Sequence, residues 1–215
     1  MTRDEAYLIL TKYLTNVNLI KHSLAAEAAM KGIYKYLYKD ASYDAAEEEK
    51  WGITGLLHDA DYELAKGHPE VHGLLLFEKE DTPFPEDIKH AIKSHNYQYT
   101  KVLPKSAMDW AIACCDQLTG LIVATALISP ARNASAPARL DSQSVSGRSV
   151  AGGPDKKLAS ITADFVLKRF SEKSFAKGAD RESIKNCEQH LGITLGDFVQ
   201  ITLSAMQEIG DSLGL

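Results

Sequence analysis

The stretch GLLHDADYE, residues 55–63, ends an apolar helical run on a histidine and a group of carboxylates. The face of WGITGLL that buries Trp51, Ile53, Leu56 and Leu57 carries His58 and Asp59 toward the interior. An unpaired buried carboxylate is costly, and such groups pair or bind metal. The alternative is a helix C-terminus, where the dipole favours a histidine and the aspartate is solvated. Asp116 raises the same question within MDWAIACCDQLTGLIVA, where its helical neighbours are Ile112, Ala113, Thr119 and Gly120. There the alternative is a narrow polar stripe, with Asp109, Asp116 and Thr119 in water. His22, set among Leu19, Ile20 and Leu24, is on its own as readily a hydrogen-bonded core residue as a ligand. Together, His22, His58, Asp59 and Asp116 offer two imidazoles and two carboxylates from three predicted helices. That mixed nitrogen and oxygen set suits Mn, Fe, Co, Ni or Zn, with positions left open for water and substrate.

The order H…HD…D resembles the HD-domain superfamily of metal-dependent phosphohydrolases. The segments KHSLAAEAAM, GLLHDADYE, HPEVHGLLLFE, AIKSHN and CCDQLTGLIVA are similar to successive stretches of its small HDIG-type predicted hydrolases, as are KSFAKGADRESI and AMQEIGDSLGL. The resemblance implies that His22, His58, Asp59 and Asp116 are the primary metal ligands. It also matches His72 and His95 to places where some members bind a second ion, so one or two divalent ions are expected. His68 stands four residues before His72, but GHPE puts it at a cap with Pro69 in the first turn, so His72 is preferred. The alternatives are His72 as a partly buried polar contact and His90 as a solvated surface residue. One departure stands out: many members read HDxxK or HDxxE, and here that position is Tyr62. Phosphate recognition therefore falls to Lys21, Lys93 or Lys101. Asp59 is expected to ligate and to help steer a nucleophilic water, and Asp61 is a candidate for proton handling. The expected activity is hydrolysis of a small phosphate ester such as a nucleotide. The rivals are a di-iron oxygenase using the same ligands and a non-catalytic module that binds a nucleotide or protein.

These side chains need helices to hold them. Apolar residues at spacings of three and four run through DEAYLILTKYL, NLIKHSLAAEAAMKGIYKYL, AAEEEKWGITGLLHD, PEVHGLLLFEKE, PEDIKHAIKSH and AMDWAIACCDQLTGLIVATAL, with no alternating stretch to compete. Asn18 and Asp44 are predicted N-caps, and Pro69 and Pro85 suit first-turn positions. The fold class is all-α, and the resemblance implies an HD-domain helical bundle. An antiparallel hairpin of the fourth and fifth stretches would bring His72 and His95 to the face carrying Asp59. Residues 1–128 form the metal-binding helical domain, and 129–154, rich in Ser, Ala and Gly, form a flexible insertion. Residues 155–215 return as C-terminal helices packing on the same domain.

At 215 residues the chain suits one domain with a sizeable core, and 45% hydrophobic with 25% charged residues argues against general disorder. A net charge of −5 gives no footprint for a nucleic-acid scaffold but leaves room for a small phosphorylated ligand. Cys114, Cys115 and Cys187 lack metal-binding spacing and read as buried thiols. MTRDEAYLIL has no basic region leading into an apolar core, so no export signal is expected, and a cytoplasmic location follows by default. The glycosylation pattern at Asn133 is discounted for the same reason. LTGLIVATALI is too short to span a bilayer, so no membrane partner is expected. The oligomeric state is open.

Overall fold

The computed structural model describes residues 1–40, 42–129 and 157–215. Among them are twelve helices and no strand, as the apolar spacing predicts. Helix α1 (Arg3–Tyr13) starts at a capping box between Thr2 and Glu5. Helix α2 (Val17–Leu37) is capped by Asn16, whose side chain accepts from the Asn18 N–H, so the cap lies two residues before the predicted one. Helix α3 (Ala45–Leu57) begins at the predicted cap, Asp44. After α4 (Leu76–Lys79) come α5 (Glu86–His95), with Pro85 at its cap rather than inside its first turn, and α6 (Tyr97–Thr100). Helix α7 (Ala107–Ile128) opens with a Ser106–Asp109 capping box. Helices α8 (Lys157–Ser160), α9 (Ala163–Ser171), α10 (Arg181–Leu191), α11 (Leu195–Glu208) and α12 (Gly210–Leu213) complete the chain.

Two apolar clusters hold these helices. The larger gathers α2 and α7 with α9 to α11 around Met30, Ile33, Ile112, Leu118 and Phe198. The smaller joins α1, α3 and α5 through Leu10, Ile53, Leu56, Leu57 and Ile92. Helix α3 serves both, because Trp51 enters the larger cluster while Leu56 and Leu57 enter the smaller. Burying each of those leucines contributes about 1.5–3 kcal/mol. Helices α2 and α3 approach so closely at Gly55 that a Cβ there would stand 2.5 Å from the Ala26 carbonyl oxygen. Only glycine admits this approach, which brings the C-terminal end of α3 against the middle of α2.

Helix α7 corrects one expectation. LTGLIVATALI is the second half of a 22-residue helix, about 33 Å long at 1.5 Å per residue, which by length and composition could cross a bilayer. Its most apolar window is 61% buried inside the protein, against α2, α5 and α10, which is how a core helix packs.

The segment after His58 differs more. The helix predicted from Pro69 is a run of turns, and only Leu76–Lys79 is α-helical. Gly67 and Gly73 adopt φ of +84° and +86°, in the left-handed region that interrupts a helix. The Asp61 carboxylate accepts hydrogen bonds from the Gly73 and Leu76 N–H groups, replacing helical carbonyls. The predicted insertion at 129–154 lies outside the described residues apart from Ser129, the C-cap of α7.

Candidate metal centre

Two helix ends deliver candidate ligands. His58 is the C-cap of α3 and His95 the last residue of α5. At such ends the last carbonyls lack helical donors. Each histidine meets that need in the same way: His58 Nδ1–H donates to the Gly55 carbonyl at 2.8 Å, and His95 Nδ1–H to the Ile92 carbonyl at 2.6 Å. A carbonyl only accepts, so both protons sit on Nδ1, and both Nε2 atoms turn lone pairs inward. His72 Nδ1–H donates to Asp61 at 2.8 Å. On α2, His22 Nδ1 lies 3.4 Å from the Thr119 hydroxyl oxygen, whose own hydrogen goes to the Asp116 carbonyl. All four imidazoles thus direct Nε2 to one place, the arrangement in which an outer hydrogen bond sets tautomer and aim.

Two donor sets result. His22, His58, Asp59 and Asp116 each offer an atom within 4.8 Å of the others, and Asp59, His72 and His95 do the same. Asp59 belongs to both. Its Oδ2 faces His22 Nε2 at 3.5 Å, and its Oδ1 lies 2.9 Å from His72 Nε2 and 3.6 Å from His95 Nε2. Asp116 Oδ1 lies 2.9 Å from His22 Nε2 and 3.5 Å from His58 Nε2. Gln117 Nε2–H donates to the other Asp116 oxygen at 2.7 Å.

The fit to a metal rests on His58. It is fully buried, and its Nε2 has no hydrogen-bond partner although Asp59 and Asp116 oxygens stand 3.5 Å away. A buried nitrogen lone pair facing carboxylate oxygens calls for a cation or a proton between them.

The electrostatics agree. Burial opposes a charge on His58, but Asp59 and Asp116 outweigh it and raise its pKa to about 9. Burial opposes the charge on His72 too, and hydrogen bonds to Asp59 and Asp61 raise that pKa to about 10. His95, buried beside His72 and His58, falls to about 4. Burial works to raise the Asp59 and Asp116 values, yet the surrounding histidines hold both carboxyls below the usual carboxylate range. The centre keeps its carboxylates ionised and attracts positive charge.

Other expected residues fall elsewhere. Asp61 is buried, and its oxygens are taken by His72, Gly73 and Leu76, which makes it the orienting partner of His72. Among the lysines, Lys21 extends toward Gly214, Lys93 lies over the Phe77 ring, and Lys101 donates to the Gln98 carbonyl. His90 is not a free surface residue: it bonds the buried Asp109, which also accepts from the Lys105 and Ser106 N–H groups, so Asp109 is not in water either. His68 is exposed against Glu70. Tyr62 is half exposed, its ring edge-on to His72 at 5.3 Å. Gln117 went unnoticed in the sequence, where a polar residue beside Asp116 was its only signal. Thr119, three residues on and a member of the polar stripe set in water by the alternative reading, is fully buried and faces His22. Comparison with protein-family models, with curated proteins and with solved structures finds no match for this chain.

Proposed function

We propose that this chain is an HD-type metal-dependent phosphohydrolase acting on a small phosphate ester. The observation that carries the reading is the convergence of four Nε2 atoms, each with its Nδ1 hydrogen bonded outward, on two carboxylates of which Asp59 serves both donor sets. The order His22, His58–Asp59, Asp116 and its resemblance to the HD superfamily support it further. Nitrogen and oxygen donors without thiolate suit Mn, Fe, Co, Ni or Zn.

His22, His58 and Asp116 would hold one ion, His72 and His95 a second, and Asp59 both. When bound, such ions supply Lewis acidity, a lowered pKa for water and charge neutralisation on phosphate oxygens. The chain supplies the rest. Asp61 keeps the His72 proton on Nδ1, and Gln117 fixes the rotation of Asp116. A cavity of about 340 Å³, lined by His22, Asp116, Gln117 and Gly120, opens beside the first donor set and gives the ester its approach. With Lys21, Lys93 and Lys101 turned to other partners, phosphate charge is met at the centre itself, which is the reason to expect two ions rather than one.

The test is to purify the protein anaerobically, measure its metals, reload it with Mn, Co, Ni, Fe or Zn in turn and assay a panel of phosphate esters. About two equivalents of metal and metal-dependent phosphate release are expected. Two irons with oxygen consumption and no phosphate release would replace the hydrolase with an oxygenase. A protein that holds no metal would leave a binding module.

A further inference from the structure

The cavity beside the metal centre shares part of its lining with another. Gly178 and Ala179 line it, and they also line a second cavity of about 570 Å³ formed by the stretch from Phe170 to Lys185. That second cavity carries Lys173, Lys177, Arg181 and Lys185 against the two carboxylates of Asp180 and Glu182, in a chain whose net charge is −5. Lys185 pairs with Glu182, while Asp180 is occupied by Ser183, Gln98 and the Glu182 N–H. Lys173 and Lys177 form no ion pair among the described residues.

The wall between the cavities is built. The Arg181 guanidinium donates to the carbonyls of Phe170, Phe175, Ala176 and Ala179, gathering the segment around one cation. Ala176 is held at φ +42°, a conformation that a residue with a Cβ seldom adopts unsupported. The Asp180 N–H donates to Gln117 Oε1, and Gln117 holds Asp116, so the segment is tied to a ligand of the metal centre. Two glycines mark the passage. A Cβ added at Gly178 or at Gly120 would meet nothing within 4 Å, and neither has a positive φ that requires glycine. Gly120 is exposed in the middle of α7, where glycine costs about 1 kcal/mol relative to alanine. Packing does not ask for it, and the space it leaves is the mouth of the centre.

From the two lining residues that the cavities share we infer that the substrate carries a second anionic group, a phosphate, which reaches over Gly178 to Lys173 and Lys177 while the ester to be cleaved lies at the metal centre. The inference rests on the hydrolase reading and narrows its substrate class to small molecules bearing two phosphates. Lysines suit that task because each ammonium is a mobile point charge for a phosphate oxygen.

The test uses the metal-loaded, full-length protein and two ligands of one base, a nucleoside 5′-monophosphate and its 3′,5′-bisphosphate. Dissociation constants come from calorimetry and phosphate release from a steady-state assay. Wild type should bind the bisphosphate at least about tenfold more tightly than the monophosphate. The double variant Lys173→Ala, Lys177→Ala should lose that ratio. Gly178→Leu should weaken both ligands, with metal content and helical circular dichroism unchanged. Equal affinity for the two ligands in wild type, or a ratio that survives in the double variant, overturns the inference while hydrolysis of either ligand leaves the hydrolase standing. Failure of a metal-loaded protein to bind or cleave either ligand overturns the inference, while the hydrolase reading is decided separately by the panel of phosphate esters.

Discussion

The two halves of the candidate metal centre are built by different means. His22, His58 and Asp116 come from α2, α3 and α7, and their separation is set by how those helices pack, above all by the approach of α3 to α2 at Gly55. His72 sits on a run of turns, and one buried carboxylate, Asp61, fixes it by accepting from its Nδ1–H and from the Gly73 and Leu76 N–H groups. The first half inherits the stability of the apolar core, whereas the second depends on a local polar knot. On the proposed reading, two ions held by such unequal supports should differ in affinity, and the half made of turns should lose its ion first.

The largest effect is expected at the residue that both halves share. Asp59→Ala should remove both equivalents of metal and reduce turnover to background while the helices remain, as judged by elemental analysis and circular dichroism. Retention of one full equivalent would show that Asp59 serves one half only. His72→Ala and His95→Ala should each lose about one equivalent and keep the ion held by His22, His58 and Asp116. A wild type that saturates at a single equivalent would remove the second half from the centre altogether.

A change remote from the ligands separates the halves by their construction. Gly55→Ala forces a methyl group into the Ala26 backbone, and overpacking of this kind costs about 1–3 kcal/mol. The thermal midpoint should fall, and metal in the first half should weaken more than metal in the second. Equal weakening of both would mean that the α2–α3 approach does not set the first half alone.

The contrast also explains what could be read from the chain. The first half was legible because His22, His58, Asp59 and Asp116 interrupt apolar periodicity, and a polar residue on a buried face is visible wherever the helix is. His72 and His95 were found by resemblance rather than by pattern. Around His72 the apolar spacing of PEVHGLLLFEKE reads as a helix, and the turns that replace it depend on a carboxylate eight residues upstream of Pro69 whose bonds no local pattern encodes. The bonds that make Asp61 the orienting partner of His72 are invisible in the sequence for the same reason. His90 and Asp109 looked solvated because their pairing joins α5 to the start of α7, a contact made only by tertiary packing. Lys21 and Lys93 stand beside His22 and His95 in sequence, but on a helix residues one or two apart face different directions.

Protons compete with metal here, and the sign follows from the shifts. With the His58 and His72 values raised to about 9 and about 10, the metal-free protein keeps His58 charged against Asp59 and Asp116, and His72 against Asp59 and Asp61, at neutral pH. That contribution to stability is complete below the ordinary histidine value of about 6.5 and is lost as pH rises through 9 to 10. The metal-free protein should therefore lose thermal stability between about pH 7 and 10. Metal must displace the same protons, so its affinity should climb with pH over that range, by about tenfold per unit for each proton released. His95, near 4, releases none. An affinity independent of pH would mean that these imidazoles do not bind the ion.

The smallest effects come from the partners that orient the histidines, and they compare the halves most finely. Asp61→Asn replaces an acceptor shared by three donors with a group that itself donates, so the second ion should weaken by about 10–100-fold. Its counterpart in the first half is Thr119, whose contact with His22 Nδ1 is 3.4 Å, longer than a good N–H···O bond of about 2.7–3.2 Å. Thr119→Val keeps the side-chain shape and removes that acceptor. A neutral bond this long is worth at most about 0.5 kcal/mol, which is about a twofold change in affinity for the first ion. His22 does not depend on it, because α2 already fixes its position and Asp116 lies 2.9 Å from its Nε2. Metal titrations of the two variants read both numbers, and a loss at Thr119→Val as large as that at Asp61→Asn would show that helix packing alone does not aim the first half.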